Sequence, residues 1–363
     1  MSIYIFIYIF SFIFSFLYSK SKDMYFSEIC KISIFFILWI PLAIRCHIGT
    51  DYDNYVKFIH QYINYGINHF EIGYIPIFNV MKYFNLSDQV FFIFTSFITI
   101  LSIFLAVDKK YMFIAIPAFM TSLYAFSFSG VRQAMAVALM LLASRKFYEK
   151  KYIKFLIIAI VAFFFHKSTL VLIFLLPFSL FQLRFLQRTY AKIFLFILIF
   201  ILFEVLDVAG FLFNKVVGNT FYAKYLNSKF SQSSEMGSGL GFLLWLLMIF
   251  CIQFFSKLDS TTVEKKSSEL IFYNMAMIFT FAYEASRIMA TKMHIFGRIN
   301  DLFYASYILM IICLYRSKSK YRKIVLLFLL FASVLQFTTN VKKSLASAPG
   351  GLGIVPYQSI FSK

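Results

Sequence analysis

Long apolar runs, separated by short polar and mostly basic segments, extend over most of the chain. The runs do not alternate with period two, and each is about 15 to 20 residues long, enough to cross or nearly cross a bilayer as a helix. This pattern predicts an all-α, polytopic membrane protein with one membrane domain, residues 1–363, and about twelve transmembrane helices. The predicted spans are residues 2–18, 29–44, 88–107, 111–127, 130–144, 153–166, 168–182, 193–213, 240–255, 270–286, 300–315 and 324–338.

One apolar segment, residues 70–84, does not fit this series. A full crossing there would reverse the orientation of every later span, so we predict a re-entrant or interfacial helix. Basic clusters such as RKFYEKKYIK, residues 145–154, mark the loops that stay in the cytoplasm, and they place both termini outside. The external parts of the chain are then the loops 45–87, 214–239 and 287–300 and the tail 339–363.

Composition agrees with a membrane location. Hydrophobic residues make up 61% of the 363 residues, Phe alone accounts for 51 of them, and the mean hydropathy is +0.79. A soluble protein of this size could not bury so much apolar surface. Because the abundant residue types are typical of AT-rich codons, we predict a bacterial source and a multi-pass protein of the bacterial inner membrane.

Charge and motifs exclude several classes of partner. The formal net charge of +19 has a simple source in cytoplasmic loops, so we predict no nucleic-acid partner. The four cysteines lack C-x-x-C spacing, and the chain contains neither G-x-x-x-x-G-K-[ST] nor G-x-S-x-G. We therefore predict no metal, no cofactor and no nucleotide substrate.

Two polar positions at the edges of apolar runs are candidates for chemistry, because an Arg, Lys or Asp at the centre of a membrane helix costs roughly 2.5 to 3.5 kcal/mol. Arg132 and Gln133 open the run 134–142, and an arginine at a helix N-terminus can bind a phosphate. An arginine that reaches to the membrane interface is the alternative. His166 ends another run and can act as a base or serve as a capping residue.

Three carboxylates, Asp51, Asp53 and Glu71, lie in one predicted external loop that also contains tyrosines such as Tyr52. Carboxylates accept hydrogen bonds from sugar hydroxyls, and aromatic rings cover the apolar faces of sugars. The loop is therefore a candidate sugar site. A solvated turn, or a divalent cation on Asp51 and Asp53, is the alternative.

A second external loop is basic. It contains Arg287, Lys292, His294 and Arg298, which together can surround a pyrophosphate or the headgroup of an anionic lipid. Anchoring to membrane lipid without any catalytic role is the alternative.

Five segments resemble, in this order, the Wzy-like polysaccharide polymerases of the EpsG type: GTDYDNY, FEIGY, SGVRQAMAVALMLLA, AFFFHKSTLVLIFLLP and FGRINDLFY. The resemblance covers most of the chain. Its most specific part is Arg132-Gln133-Ala134 followed by the apolar run that ends in His166-Lys167-Ser168, whereas residues 181–269 match only as a hydrophobic pattern.

The resemblance implies a membrane glycosyltransferase that joins polyprenyl-pyrophosphate-linked oligosaccharide repeat units on the outer side of the membrane. Such a reaction needs a base for the attacking sugar hydroxyl and cations for the departing pyrophosphate. It also implies two further partners, a flippase and a chain-length regulator. We assign His166 or Asp51 as the base, Arg132, Arg298 and Arg287 to the pyrophosphate, and Asp53, Glu71, Gln133 and Tyr52 to the acceptor sugar.

Three other functions are open to a chain of this composition. A flippase or transporter for lipid-linked oligosaccharides could use the same arginines, although the candidate residues lie at one face and we find no internal repeat. A membrane O-acyltransferase acting on exported glycans would also use an embedded histidine. A ligase would transfer finished chains without lengthening them.

Overall fold

The computed structural model describes residues 2–181, 183–208, 210–211, 215, 239–258, 268–293, 295–344 and 351–362. Most of these residues are helical, with no strand among them, and one isolated antiparallel pairing joins Arg45 to Ser359. The all-α prediction is therefore confirmed. The predicted external loop 214–239 lies outside the described residues, apart from its two positions 215 and 239.

The chain divides into two compact units. Unit 1 comprises residues 1–173 and 333–363, and unit 2 comprises residues 174–332. The single membrane domain that the hydrophobic pattern predicts stays a prediction. The helices that begin in unit 1 are α1 Ser2–Lys20, α2 Met24–Ala43, α3 Tyr52–Tyr65, α4 Ile75–Tyr83, α5 Gln89–Ala106, α6 Met112–Phe119, α7 Val131–Tyr148, α8 Tyr152–Phe165 and α9 Leu170–Leu175. Those that begin in unit 2 are α10 Thr189–Phe200, α11 Leu240–Phe255, α12 Ser268–Lys292, α13 Ile295–Leu302, α14 Ser306–Arg316 and α15 Arg322–Lys343.

Several helices are long and apolar enough to cross a membrane. Among the described residues, helices α1, α2, α5 and α15 meet this condition, and α13 with α14 form a further pair bent by 46°. These helices indicate a membrane protein. The prediction of about twelve spans is not confirmed. Two predicted spans are not regular α-helices throughout: the run 111–127 contains a π-helical turn, Met120–Tyr124, and the run 168–182 contains 3-10 turns on both sides of α9.

Helix α7 forms the centre of unit 1. It packs against α5 and α8, and it is buried along most of its length. Its sequence AMAVALMLLA is rich in alanine, and small side chains let neighbouring helices approach closely. Helix α1 packs against α2 and α6, and α2 packs against α5. The first turn of α7 carries Arg132, so this packing fixes the backbone of a candidate site residue.

The predicted external loop 45–87 contains two helices. Helix α3 is amphipathic and buries Tyr52, Tyr55 and Ile59, a spacing that places them on one face. The hydrophobic pattern does not predict this helix. Segment 70–84 forms a 3-10 turn, Ile72–Tyr74, followed by α4, whose nine residues span about 14 Å and cannot cross a membrane. A short helix is therefore present there, and its re-entrant or interfacial position stays a prediction.

Unit 2 is built around α12, which packs against α10, α11, α13 and α14. Two acidic residues for which the sequence suggests no partner find one here. Glu204 Oε1 lies 3.0 Å from Lys292 Nζ. Glu284 is fully buried, and its Oε2 accepts a hydrogen bond of 3.2 Å from Gln253 Nε2. Buried polar groups in this unit are thus partly matched within it.

The predicted cytoplasmic cluster at the end of α7 contains an ion-pair network. Arg145 pairs with Asp108, which follows α5, and its Nε donates to Glu149 Oε1 at 2.6 Å. Lys151 Nζ lies 2.8 Å from Glu149 Oε2. Burial raises the pKa of Glu149, but the hydrogen bonds from Lys151 and Arg145 outweigh burial and lower that pKa to about 2. Part of this basic cluster therefore links helices.

We expect Glu149→Gln to lower the unfolding temperature in detergent more at pH 7 than at pH 3. The carboxylate of the unfolded chain takes up a proton near pH 4.5, whereas the folded one takes it up near pH 2. The stabilisation is thus complete above about pH 4.5 and is lost as the pH falls through about 2. Glu28→Gln is the control, since Glu28 pairs with Lys31 on an exposed surface. An equal effect of Glu149→Gln at both pH values would contradict the network.

Candidate functional site

Three candidate residues from separate segments meet in unit 1. The two carboxylate oxygens of Glu71 have different partners: Oε2 lies 2.8 Å from Arg132 Nη1, and Oε1 lies 3.0 Å from His166 Nδ1. Glu71 precedes Arg132 by 61 residues and His166 by 95. Only the fold can bring them together. We call Glu71, Arg132 and His166 the Glu–Arg–His cluster.

Each member lies where a regular element begins or ends. Glu71 directly precedes the 3-10 turn Ile72–Tyr74, Arg132 is the second residue of α7, and His166 follows α8 in an extended conformation. The 3-10 turn and α8 pack against each other, as do α7 and α8. Helix ends have backbone groups without partners inside the helix, so they are suited to form a polar site.

Gly73 explains why the 3-10 turn can approach α8 so closely. A Cβ atom at this position would lie 2.8 Å from the carbonyl oxygen of Phe164, which is closer than real Cβ contacts. His166 follows two residues later. The glycine in FEIGY therefore allows the contact that places Glu71 beside His166.

Aromatic rings enclose the cluster. The Arg132 guanidinium lies 5.1 Å from the centre of the Phe70 ring and 5.5 Å from that of Tyr55, both within the range of cation–π attraction. Tyr74 contacts Phe165 edge to face, at 4.9 Å between ring centres. The side chains of Glu71, Arg132 and His166 remain 14%, 24% and 22% exposed. The cluster is thus shielded but accessible.

Electrostatics determine which nitrogen of His166 carries a proton. Burial raises the pKa of Glu71, but the hydrogen bond with His166 and the charge of Arg132 outweigh burial, so the pKa lies below its ordinary value. The carboxylate is therefore ionised near neutral pH and can only accept hydrogen bonds. Nδ1 of His166 must then donate to Oε1, which leaves the lone pair of the neutral ring on Nε2.

Three residues of the predicted sugar site, Asp51, Tyr52 and Asp53, lie at the start of α3. Asp51 immediately precedes the helix, and Asp53 lies in its first turn, where it pairs with His47 Nδ1 at 2.8 Å on an exposed surface. Tyr52 is buried and stacks on Phe92, with 4.5 Å between ring centres. Tyr52 therefore serves packing in this structure, and the predicted sugar contacts of all three residues stay predictions.

The remaining candidates are distributed over both units. Gln133 is buried in the first turn of α7. In unit 2, Arg287 lies on α12 with its guanidinium 5.9 Å from the ring centre of Phe242, and Arg298 is exposed on α13. Their predicted binding of pyrophosphate stays a prediction, and His294 of the same basic loop lies outside the described residues.

No group of three His, Cys, Asp or Glu side chains that could hold a metal ion occurs in the described part of the chain. The cluster has one histidine and one carboxylate, and an arginine already neutralises that carboxylate. Its residues can orient an imidazole, hold a proton on it and present positive charge.

The model of the EpsG family matches residues 28–359, which includes all three members of the cluster. The chain belongs to the EpsG family. This match confirms the resemblance to Wzy-like polysaccharide polymerases of the EpsG type. No curated protein matches the chain, and no solved structure matches it. Membership of the EpsG family, together with the apolar helices, indicates a membrane polysaccharide polymerase of the glycosyltransferase type.

Residues that sequence reasoning did not select surround the Glu–Arg–His cluster. Phe70 and Tyr55 cover Arg132, and Gly73 permits the contact with α8. Phe70 and Gly73 both lie in FEIGY, where Glu71 is selected for its charge alone. Tyr55 follows Tyr52 at a spacing of three residues, which is a helical spacing within a segment predicted as a loop.

We expect Gly73→Ala to destabilise the protein, because the new methyl group would press on the Phe164 carbonyl. Overpacking of this kind costs about 1 to 3 kcal/mol and should lower the unfolding temperature in detergent. Gly297→Ala is the matched control, since its Cβ would have no neighbour within 4 Å. An equal unfolding temperature for Gly73→Ala and wild type would show that α8 and the 3-10 turn are farther apart than described.

Proposed function

We propose that this protein polymerises polyprenyl-pyrophosphate-linked oligosaccharide repeat units on the extracytoplasmic face of the bacterial inner membrane. Membership of the EpsG family supports the class of reaction. The observation that carries the mechanism is the Glu–Arg–His cluster, in which an ionised carboxylate holds an imidazole and a guanidinium 3.0 and 2.8 Å from its two oxygens. A base and a cation are the two groups that this reaction requires.

The reaction joins two lipid-linked units. A sugar hydroxyl of the acceptor unit attacks the anomeric carbon of the growing chain, and the bond from that carbon to the pyrophosphate oxygen breaks. The hydroxyl proton passes to a base, and polyprenyl pyrophosphate departs with the bonding electrons. No nucleotide sugar takes part. Because the acceptor unit must reach the outer face, we propose a flippase as a partner. We also propose a chain-length regulator, which the family resemblance implies.

His166 is the base in this mechanism. Its Nδ1–H donates to Glu71, and its Nε2 can therefore take the hydroxyl proton. Asp51 is the competing candidate from the sequence, but His166 has a ring whose orientation a second residue holds. Glu71 is then a positioning residue for His166, although the sequence suggests that it contacts the acceptor sugar.

The cluster changes its charge during the reaction. Before proton transfer, the charges of the Glu71 carboxylate and the Arg132 guanidinium cancel, and the mechanism requires a His166 ring without charge. When His166 takes up the proton, the cluster becomes positive by one charge. This happens as negative charge develops on the pyrophosphate, so the electrostatic attraction is greatest in the transition state. We assign Arg132 to the pyrophosphate. The same role for Arg287 and Arg298 of unit 2 is a proposal from the sequence alone.

We expect His166→Ala to reduce the elongation of a polyprenyl-pyrophosphate-linked repeat unit by about 100- to 10,000-fold, the usual loss for a general base. Purified protein, labelled repeat unit and a gel that separates chain lengths provide the measurement. Arg132→Ala should also abolish the ladder. His60→Ala is the matched control, because His60 also pairs with a carboxylate, Asp88, at 2.7 Å but on an exposed surface.

A second variant tests the role of Glu71. Glu71→Gln keeps the shape of the side chain but removes its charge, so it should lower kcat about 10- to 100-fold with a smaller effect on KM. Asp88→Asn is the matched control. The polymerase proposal is contradicted if wild-type protein never lengthens authentic repeat units but moves labelled lipid across proteoliposome membranes. The protein would then be a transporter.

A further inference from the structure

The last described residues of the chain form an extended segment in unit 1. We call residues 351–362 the C-terminal strap. The strap runs antiparallel to residues 44–50, which lead into α3. Four backbone hydrogen bonds join the two segments: Ile360 N to Ile44 O at 2.9 Å, Cys46 N to Gln358 O at 3.1 Å, Gly49 N to Gly353 O at 2.9 Å and Thr50 N to Leu352 O at 3.1 Å.

Side chains attach the C-terminal strap to the helices of unit 1. The hydroxyl of Tyr4 donates to the carbonyl of Ile354 at 2.5 Å, and the hydroxyl of Tyr357 donates to the carbonyl of Pro41 at 3.0 Å. Ile354 itself is fully buried. The strap is therefore held on α1, on α2 and on the segment between α2 and α3.

The segment that the C-terminal strap covers has an unusual backbone. His47 has φ of 51° and Gly49 has φ of 94°, so two of its residues adopt the left-handed region. Such conformations persist when surrounding structure holds them in place. A Cβ at Gly49 would collide with the Phe128 carbonyl, so this turn also lies directly against the chain that precedes α7.

The same turn contacts the start of α7. The hydroxyl of Thr50 forms a hydrogen bond with that of Ser129, and Ser129 is three residues before Arg132. On its other side, the turn continues through Asp51 into α3, whose Tyr55 ring faces the Arg132 guanidinium. One turn thus touches the backbone before Arg132 and begins the helix that covers it.

We propose that the C-terminal strap is a positioning element of the polymerase site, because it holds the turn 46–50 that orients Arg132 and Asp51. The proposal rests on the proposed function for its activity readout only. It assigns a positioning role to a segment whose residues 351–362 include no Asp, Glu, His, Lys or Arg.

Removal of residues 351–363 tests the proposal. In the truncated protein the helices of unit 1 should remain folded, but kcat should fall about 100-fold. A displacement of a site residue by about 1 Å can cost that much. A synthetic peptide of residues 351–362, supplied at about 1 mM, should restore elongation. Phe361→Ala is the control within the strap, because this side chain is 78% exposed, and it should leave activity unchanged.

A milder variant keeps the whole chain. Cys46 and Gln358 lie opposite each other in the antiparallel pairing, where Cα atoms are about 5.5 Å apart, within the range that a disulfide bridges. Gln358→Cys should therefore form an oxidant-dependent crosslink to Cys46, and the crosslinked protein should keep wild-type kcat. Ser362→Cys should not crosslink.

Hydrogen exchange separates this proposal from the proposed function, since it requires no activity. In the truncated protein, amide exchange should rise in residues 46–52 and 127–133 and stay unchanged in the second half of α7. Unchanged exchange in both segments, or full elongation without the strap, would overturn the positioning role. A crosslinked Gln358→Cys protein that folds but does not elongate would also overturn it, because the strap would then have to leave.

Discussion

A charged carboxylate can stay among aromatic side chains only if donors and cations surround it, and unit 1 is arranged to meet that condition for Glu71. Arg132 and His166 each satisfy one oxygen. The rings of Phe70 and Tyr55 then cover the guanidinium. Without Arg132 the carboxylate would have no compensating charge, and without His166 its Oε1 would lose a hydrogen-bond donor, so the geometry of each residue depends on the others.

Close contacts of the backbone position this cluster as much as contacts between side chains do. Gly73 lets a 3-10 turn touch α8, and Gly49 lets the turn before α3 touch the chain before α7. At both places the neighbour is a carbonyl group, which cannot rotate away as a side chain can. The buried, alanine-rich α7 packs against α8, and the chain that precedes it contacts the turn at Gly49.

The sequence predicts the helical class well, because long apolar runs without alternation permit little else. It also selects Arg132 and His166, as ionisable residues beside apolar runs, and Glu71, as one of three carboxylates in a predicted external loop. Their meeting could not be predicted, because it depends on the approach of FEIGY to α8, and spacing along a chain does not show which helix ends are neighbours. The count of twelve spans is not confirmed. Hydropathy measures how apolar a run is, and it does not predict local backbone geometry such as the π-helical and 3-10 turns in runs 111–127 and 168–182.

The hydrogen bond between Tyr4 and Ile354 joins residues 350 positions apart, and the whole of unit 2 lies between them in the sequence. During biosynthesis, α1 can pack against α2 and α6 early, but the Tyr4 hydroxyl meets the Ile354 carbonyl only after unit 2 has been translated. A chain whose synthesis stops within unit 2 contains Arg132 and His166 but lacks residues 333–363, the second part of unit 1. Unit 1 is therefore completed only after unit 2 has been synthesised, when residues 333–363 join residues 1–173.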